Sequence, residues 1–364
     1  MRHTEAFTRA YGPKALVSVS RPTLIWEVWP GEGSKVTQSE MKLDQHDVNC
    51  SYQVDSRSLR YTPDAPLAAG RHHVNCVVTI DDHMPVKKEW EFIVPSSAPE
   101  TVPAASAQQR ALIDTINNYR REMGLQPFVN DDRLAAAATA HTEYLRINNI
   151  TGHQESSSKP GFVGEMPMER LESFGFLQDS WECVDYGGET QEECLADLFD
   201  APYHRIPFMQ PGALLCGTGF KDRHLTVEFE MAKMTATTVS PYPGQQNVPV
   251  SWTCHERPNP LRIHGVDLPV GYPIVINHFT PDNQKIVIKS VVMKAEGGAD
   301  VPVYVNTPAN DEKLSYSAFI MAKDPLRPGT TYEVEVTGYT ETGENFTKAW
   351  SFTTALPNRN KARH

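Results

Sequence analysis

Three short patterns in this 364-residue chain contain residue types that bind metals or phosphates, and each lacks part of its motif. His255-Glu256 begins like the helical zinc motif of metalloproteases, but Arg257-Pro258 follows and no second histidine completes it. Gly217-Thr218-Gly219 lacks the strand–loop–helix context of a phosphate-binding loop. His72 and His73 are adjacent on a predicted strand, so they point to opposite faces and cannot chelate one ion.

The six cysteines form no C-x-x-C pair, so a structural zinc knuckle is not expected. Cys50 and Cys76 both lie in strand-like sequence within one segment. They form either a disulfide or two buried thiols. The pairing of the remaining cysteines, which are Cys183, Cys194, Cys216 and Cys254, does not follow from the sequence.

Composition excludes several classes of protein. A hydrophobic content of 40% is enough for packed cores, and the formal net charge of -11 argues against a nucleic-acid binder. No run of about 18 apolar residues occurs, so no membrane-spanning segment is expected. The first residues lack an apolar stretch, so we expect no intact secretory signal.

An internal repeat indicates two similar β domains. APLAAGRHHVNCVVTIDDHMPVKKEWEFIV and DPLRPGTTYEVEVTGYTETGENFTKAWSFTT share a Pro-Leu-x-x-Gly turn, an alternating strand, a second turn and a Trp-x-Phe ending. The alternation is typical of half-buried strands, with Trp90 and Phe92, like Trp350 and Phe352, on one face. We therefore predict immunoglobulin-like β-sandwiches at residues 14–95 and 237–356.

The residues between these two domains change to a helical period. Residues 96–104 are rich in Pro, Ser and Ala and are typical of a linker. Residues 105–234 predict one helix that ends at Gly124, a second from about Asp132 to Asn149, a third after Pro167, and a fourth capped by Thr190. A strand pair joined at 221–223 follows, so we predict an α/β layered domain, an α-β-α sandwich.

Four segments of this central domain occur in an order that resembles a known family. They are LIDTINNYRREMGLQPFVNDDRLAAAATAHTEYL, then INNITGHQE, then ERLESFGF with WECVDYG, and finally DAPYHRIPFMQPGALLCGTGF. Together they resemble bacterial members of the CAP superfamily, the group of cysteine-rich secretory, antigen 5 and plant pathogenesis-related proteins. The resemblance covers about 125 residues.

The resemblance implies a cleft that contains His153, Glu182 and His204, with Arg205 beside His204. Trp181 and Cys183 replace the usual neighbours of the glutamate, and a second glutamate has no counterpart better than Asp200. Two imidazoles and a carboxylate suit zinc, and three ligands would leave a position open. Without metal, histidines beside a carboxylate titrate near neutral pH.

His141 lies on the apolar stripe of the second predicted helix, where we expect a satisfied, half-buried histidine near the cleft rather than a ligand. Glu165 follows Gly164, but it precedes the third predicted helix, so Glu182 is the better candidate for the cleft.

The resemblance implies an extracellular or cell-envelope protein whose cleft binds a divalent metal or a small-molecule, peptide or cell-wall ligand. The sandwich domains would then act as spacers or adhesion modules. Two alternatives stay open. One is a zinc-dependent hydrolase that acts on peptide or cell-wall material, with Glu182 as ligand or general base. The other is a degenerate scaffold in which the sandwich faces bind.

Overall fold

A computed structural model describes residues 7–82, 84–253 and 256–357. The chain divides into two compact units. The first contains the residues up to Ala111, Asn130–Tyr186 and Leu215–Glu230, and the second contains Leu112–Val129, Gly187–Leu214 and the residues from Met231 onward. Cys254 and His255 lie outside the described residues.

The N-terminal region is a β-sandwich of two sheets. Its strands are β1 (Phe7–Gly12), β2 (Ala15–Leu16), β3 (Leu24–Trp29), β4 (Val36–Leu43), β5 (His46–Val48), β6 (Ser51–Gln53), β7 (Ser58–Tyr61), β8 (Gly70–Ile80) and β9 (Met84–Val94). One sheet has the order β1-β3-β7-β6, and the other has the order β2-β9-β8-β4-β5. The alternating apolar side chains of both sheets meet in one core, as expected for a sandwich.

The central region contains five helices and four strands. They are α1 (Ala107–Glu122), β10 (Val129–Asn130), α2 (Asp132–Asn148), α3 (Pro167–Ser173), β11 (Ser180–Asp185), α4 (Gln191–Asp200), α5 (Pro202–Phe208), β12 (Leu215–Lys221) and β13 (His224–Glu230). Asp131 caps α2 by accepting from the backbone N–H groups of Arg133 and Leu134, and Asn149 ends it in the left-handed conformation. These are the ends that the sequence predicts, whereas β11 and α5 were not predicted.

The central sheet has the order β10-β12-β13-β11. Helix α2 packs on β12 at the two glycines of the Gly217-Thr218-Gly219 pattern. A Cβ on Gly217 would lie 2.1 Å from the backbone nitrogen of Ala135, and one on Gly219 would lie 2.5 Å from the backbone nitrogen of Thr139. The glycines therefore let helix and strand approach closely, which accounts for the pattern without a phosphate ligand.

The C-terminal region is a second β-sandwich. Its strands are β14 (Ala236–Ser240), β15 (Ile274–Phe279), β16 (Ile286–Ala295), β17 (Ala299–Asp300), β18 (Val303–Asn306), β19 (Ser317–Ala322), β20 (Thr331–Thr340) and β21 (Asn345–Thr353). The sheets have the orders β14-β15-β19-β18 and β17-β16-β20-β21. A short 3-10 helix covers Pro260–Ile263.

The two copies of the repeat fold as β-hairpins with the same register. Val74 lies opposite Trp90 in β8–β9, and Val334 lies opposite Trp350 in β20–β21. Both tryptophans are buried, as are the phenylalanines two positions on. The predicted fold class, a central α/β domain between two all-β immunoglobulin-like sandwiches, is confirmed.

Of the two alternatives that the sequence left open for Cys50 and Cys76, a disulfide or two thiols, the structure shows free thiols. Cys76 faces the core of the sandwich from β8, and Cys50 packs against that core, so both side chains serve as small apolar groups. Burial, with a smaller effect of Cys50, raises the pKa of Cys76 to about 12. Among the helices of the described residues, none combines the length and apolar character needed to cross a bilayer.

Candidate functional site

Glu182 lies at the centre of a buried polar cluster in the first unit. Strand β11 pairs with β13 so that Glu182 is directly opposite Glu228. The side chain of Glu182 is 1% exposed, which makes an unpaired charge there costly. The structure compensates for this charge with groups from a loop and a helix.

His153 is the first of these groups. Its Nδ1 lies 2.7 Å from Oε1 of Glu182, and 47% of its side chain is exposed. Because a carboxylate only accepts hydrogen bonds, the contact places the proton of the imidazole on Nδ1. Nε2 then carries the lone pair. The structure thus brings together two of the three residues that the sequence predicted for the cleft.

Arg170 binds the other carboxylate oxygen of Glu182. Its Nη2 donates to Oε2 at 2.6 Å, and its side chain is completely buried. Helix α3 supplies this arginine from the turn that follows Gly164, where a Cβ would lie 2.8 Å from the backbone nitrogen of Arg170. A glycine at that position therefore lets the loop pack directly against the backbone of Glu169 and Arg170.

A second buried carboxylate, Glu155, links the loop to helix α2. His141 Nδ1 lies 2.8 Å from Oε1 of Glu155, and its Nε2 lies 3.0 Å from the carbonyl oxygen of Gly152. The Glu155 Oε2 accepts from the backbone N–H of Val163 at 2.9 Å. His141 is fully buried rather than half-buried as expected, and its Nε2 is also 3.8 Å from Oε1 of Glu182. It supports the loop that carries His153.

The charges of the cluster give the two opposed glutamates, Glu182 and Glu228, different pKa values. Burial alone would raise the pKa of Glu182, but the hydrogen bond from His153 and the charges of Arg170 and His141 outweigh it and lower the pKa to about 2. Burial and the neighbouring Glu182 carboxylate raise the pKa of Glu228 well above its ordinary value. Of the two opposed carboxyls, Glu182 is therefore the one that ionises first as the pH rises.

His204 belongs to the second unit, where it has a glutamate of its own. Its Nδ1 lies 2.9 Å from Oε1 of Glu256, and its side chain is 21% exposed. The same oxygen accepts from the backbone N–H groups of Tyr203 at 2.9 Å and of His204 at 3.1 Å. Burial raises the pKa of Glu256, and the hydrogen bond from His204 only partly opposes this.

Arg205 fixes helix α5 rather than offering charge to a ligand. It is fully buried, and it donates to the carbonyl oxygens of Phe199 at 2.6 Å, Asp200 at 2.9 Å and Pro273 at 2.9 Å. Asp200 ends α4, and burial raises the pKa of its carboxyl despite the nearby Arg205. That His153, Glu182 and His204 share one cleft stays a prediction.

Sequence reasoning missed four charged residues of these clusters: Glu155, Arg170, Glu228 and Glu256. Glu228 lies in the strand pattern HLTVEFEM, where every residue from Leu225 to Phe229 is buried. A glutamate inside such a run was the available signal. The others become partners only through loop closure or contacts far along the chain, which no local pattern reveals.

These residues fit zinc only if His153 is a ligand and Glu182 is not. Both oxygens of Glu182 are engaged, by His153 and by Arg170, so Glu182 does not fit as a ligand. The imidazole of His153 does fit, because proteins commonly orient a metal-binding histidine by a carboxylate on its other nitrogen. Within the described part of the chain, no group of three or more His, Cys, Asp or Glu side chains is arranged to hold a metal ion.

Comparison with known proteins supports the resemblance seen in the sequence. Residues 113–222 match the CAP family, described as the cysteine-rich secretory protein family. The uncharacterized protein YkwD of Bacillus subtilis is 26% identical over 126 residues, which are 34% of this chain and 46% of YkwD. The matched segment thus spans less than half of that relative.

Two solved structures show weak overall likeness. An extracellular protein with an SCP domain from Bacillus anthracis is 12% identical, with a TM-score of 0.29 over 63% of this chain and 68% of that chain. An outer surface protein of Borrelia burgdorferi is 18% identical, with a TM-score of 0.29 over 34% of this chain and 92% of that chain. Scores this low carry no argument about function.

Proposed function

The chain carries a CAP domain at residues 113–222, and from this premise we propose that it is a secreted or cell-envelope protein whose domain binds a divalent metal ion or a small ligand. The ligand class is a small molecule, a peptide or cell-wall material. The flanking sandwiches act as spacers or adhesion modules. The description of the matched family as secretory supports the extracellular part of the proposal.

The observation that carries the proposal is the environment of the His153 ring. Its ring is half exposed, yet its Nδ1 is held at 2.7 Å by a buried carboxylate. Arg170 keeps that carboxylate charged, because it is completely buried and donates to the second oxygen at 2.6 Å. An ordinary surface histidine needs no such support. The arrangement fixes the ring and leaves Nε2 with the lone pair that a metal ion or a ligand N–H group requires.

A divalent ion, when bound by His153, would supply a Lewis-acidic position for carboxylate or hydroxyl groups of a ligand. The protein's own part is to orient the ring. Glu182 holds the proton on Nδ1, and Arg170 prevents Glu182 from taking a proton itself. We propose the same contact role for His204 in the second unit, on the basis of its own hydrogen bond to Glu256.

The geometry favours binding over the hydrolase alternative. A general base works best with a pKa near the working pH, whereas the pKa of Glu182 is lowered to about 2. Its two oxygens already accept from His153 and Arg170. Glu182 is therefore better suited to holding His153 than to accepting a proton from water.

Calorimetric titration of zinc into the metal-stripped full chain tests the proposal. The variants are His153→Ala and His204→Ala, with His46→Ala as the matched control, since His46 is an exposed histidine on β5. We expect saturable binding in the wild type and in the control, and weaker or no binding in His153→Ala.

Equal zinc affinity in the wild type and His153→Ala would overturn the metal part of the proposal. Absence of zinc binding altogether would do the same. Chemical shifts of His153 on addition of peptidoglycan fragments or peptides then decide whether the site takes a small ligand, and a ring that responds to none of these probes contradicts the proposal as a whole.

A further inference from the structure

Glu256 lies outside the CAP domain at 113–222, and its pattern His255-Glu256 was left without a role by the sequence. In the structure its side chain is buried and reaches the first turn of helix α5. It follows β14 and precedes the short 3-10 helix of the C-terminal region. A carboxylate from the C-terminal region is thus built into the surroundings of a histidine of the central domain.

Three donors converge on one oxygen of Glu256. Oε1 accepts from the backbone N–H of Tyr203 at 2.9 Å, from the backbone N–H of His204 at 3.1 Å and from the ring Nδ1 of His204 at 2.9 Å. The two backbone contacts fix the carboxylate relative to the helix. The ring of His204 is therefore held against a rigid acceptor rather than against a mobile surface side chain.

The contact also selects the tautomer of His204. Oε1 accepts from two backbone N–H groups, which a carboxylate or a carbonyl oxygen can do but a donor cannot. The ring must then donate through Nδ1, and Nε2 carries the lone pair. The same relation holds between His153 and Glu182 in the first unit.

We infer that Glu256 is a positioning residue for His204: it fixes the proton of the ring on Nδ1 and leaves Nε2 as the acceptor nitrogen. The inference rests on the proposed function as far as the ligand is concerned. It makes the C-terminal sandwich region a contributor to the binding chemistry of the central domain rather than a spacer alone.

The alternative is that Glu256 only caps the first turn of α5. Both roles predict that Glu256→Ala lowers stability, so stability does not separate them. The tautomer of His204 does, because capping uses the backbone N–H groups and places no demand on the ring.

The experiment is a long-range ¹H–¹⁵N spectrum of the full chain with labelled histidines, recorded above the pH at which imidazoles take a second proton. The variants are Glu256→Ala and Glu256→Gln. Glu312→Gln is the matched control, since Glu312 is an exposed carboxylate of the same region that receives a hydrogen bond from Arg262. His204→Ala assigns the signal.

We expect the wild type and the control to carry the proton of His204 on Nδ1, and Glu256→Ala to shift it toward Nε2. Glu256→Gln should retain Nδ1–H, since its amide oxygen still accepts. A wild-type ring with its proton on Nε2 overturns the inference whether or not the variants fold. An unchanged tautomer in folded Glu256→Ala overturns it as well.

Zinc calorimetry separates this result from the proposed function. Loss of an orienting carboxylate typically weakens metal affinity by about 10–100-fold, and we expect a loss in this range for Glu256→Ala. Equal zinc affinity in Glu256→Ala and the wild type contradicts the positioning role. If the wild type binds no zinc, the metal proposal fails, while the tautomer still decides the role of Glu256.

Discussion

His153 and His204 are both held through Nδ1 by a buried glutamate, yet the two glutamates lie in opposite electrostatic surroundings. Glu182 has Arg170 on its second oxygen, and its pKa is lowered to about 2. Glu256 receives two backbone N–H groups, its Oε2 has no hydrogen-bond partner among the described residues, and burial raises its pKa. The histidine contact is the same in both pairs, so the added charges of Arg170 and His141 account for the lowered pKa of Glu182.

The comparison has consequences of opposite sign for stability. The folded pKa of Glu182 is below the unfolded value of 4.5, so its contribution is present above about that pH and is lost as the pH falls toward 2. The folded pKa of Glu256 is raised, so its ionisation opposes folding as the pH rises through that value.

Replacement of Arg170 should have the largest effect. In Arg170→Met, the buried Glu182 and Glu155 lose their cation, and breaking a buried ion pair from one side costs roughly 3–5 kcal/mol. The free energy of unfolding from urea denaturation at pH 7 measures this loss.

The matched control for that variant is Arg146→Met, which breaks a half-exposed pair with Glu143 on α2. We expect it to cost far less stability than Arg170→Met, because ion pairs in contact with solvent contribute little. If the two variants lose equal stability, the arginine of the cluster has no special weight and the comparison fails.

Replacing each glutamate by glutamine should destabilise the protein to different extents in the His153–Glu182 and His204–Glu256 pairs. Glu182→Gln leaves a buried arginine without its full partner, and we expect a loss of about 3 kcal/mol at pH 7. Glu256→Gln still accepts the backbone N–H groups of Tyr203 and His204, so a loss of about 1 kcal/mol is expected.

Urea denaturation at lower pH checks the direction in which the Glu182 contribution to stability changes with pH. The difference between the wild type and Glu182→Gln should shrink as the pH falls from 5 toward 2, because Glu182 takes up its proton there. A difference that grows on acidification, or a larger loss for Glu256→Gln than for Glu182→Gln, contradicts the account.

The smallest expected effect concerns Glu228, which faces Glu182 across the strands. Burial and the Glu182 carboxylate raise its pKa, which favours the neutral carboxyl, so the neutral variant Glu228→Gln should change the free energy of unfolding by less than about 1 kcal/mol. As the pH rises through the folded pKa, ionisation of Glu228 destabilises the wild type but not the variant.

Urea denaturation of the wild type and Glu228→Gln over a series of rising pH values tests this prediction. The variant should gain stability relative to the wild type as the pH rises through the folded pKa of Glu228. A loss of several kcal/mol at pH 7 would mean that Glu228 is ionised and that the cluster carries one more negative charge than the account allows.

The sequence predicted what depends on local periodicity. The hairpins that end in Trp90 and Trp350, the start of α2 at Asp132 and its end at Asn148 all follow from alternation, helical period or capping residues. The resemblance to the CAP family also selected His153 and Glu182, and the structure places His153 Nδ1 2.7 Å from Oε1 of Glu182.

The partners of those residues could not be predicted, because they come from distant parts of the chain. Strand β11 forms by pairing with β13, and only that register places Glu228 opposite Glu182. Arg170 lies on a helix of seven residues with no pattern of its own. Glu256 belongs to a loop whose sequence is an incomplete zinc motif. Its contact with His204 joins residues that are far apart in the sequence, so only the folded structure reveals it.

The measurement that tests the central claim most directly is the ¹⁵N spectrum of the histidine rings during zinc addition to the full chain. The account predicts that His153 carries its proton on Nδ1 before zinc is added, and that its Nε2 signal shifts as zinc binds. A proton on Nε2, or zinc shifts confined to other histidines while His153 stays unchanged, would contradict the claim that Glu182 prepares His153 for binding.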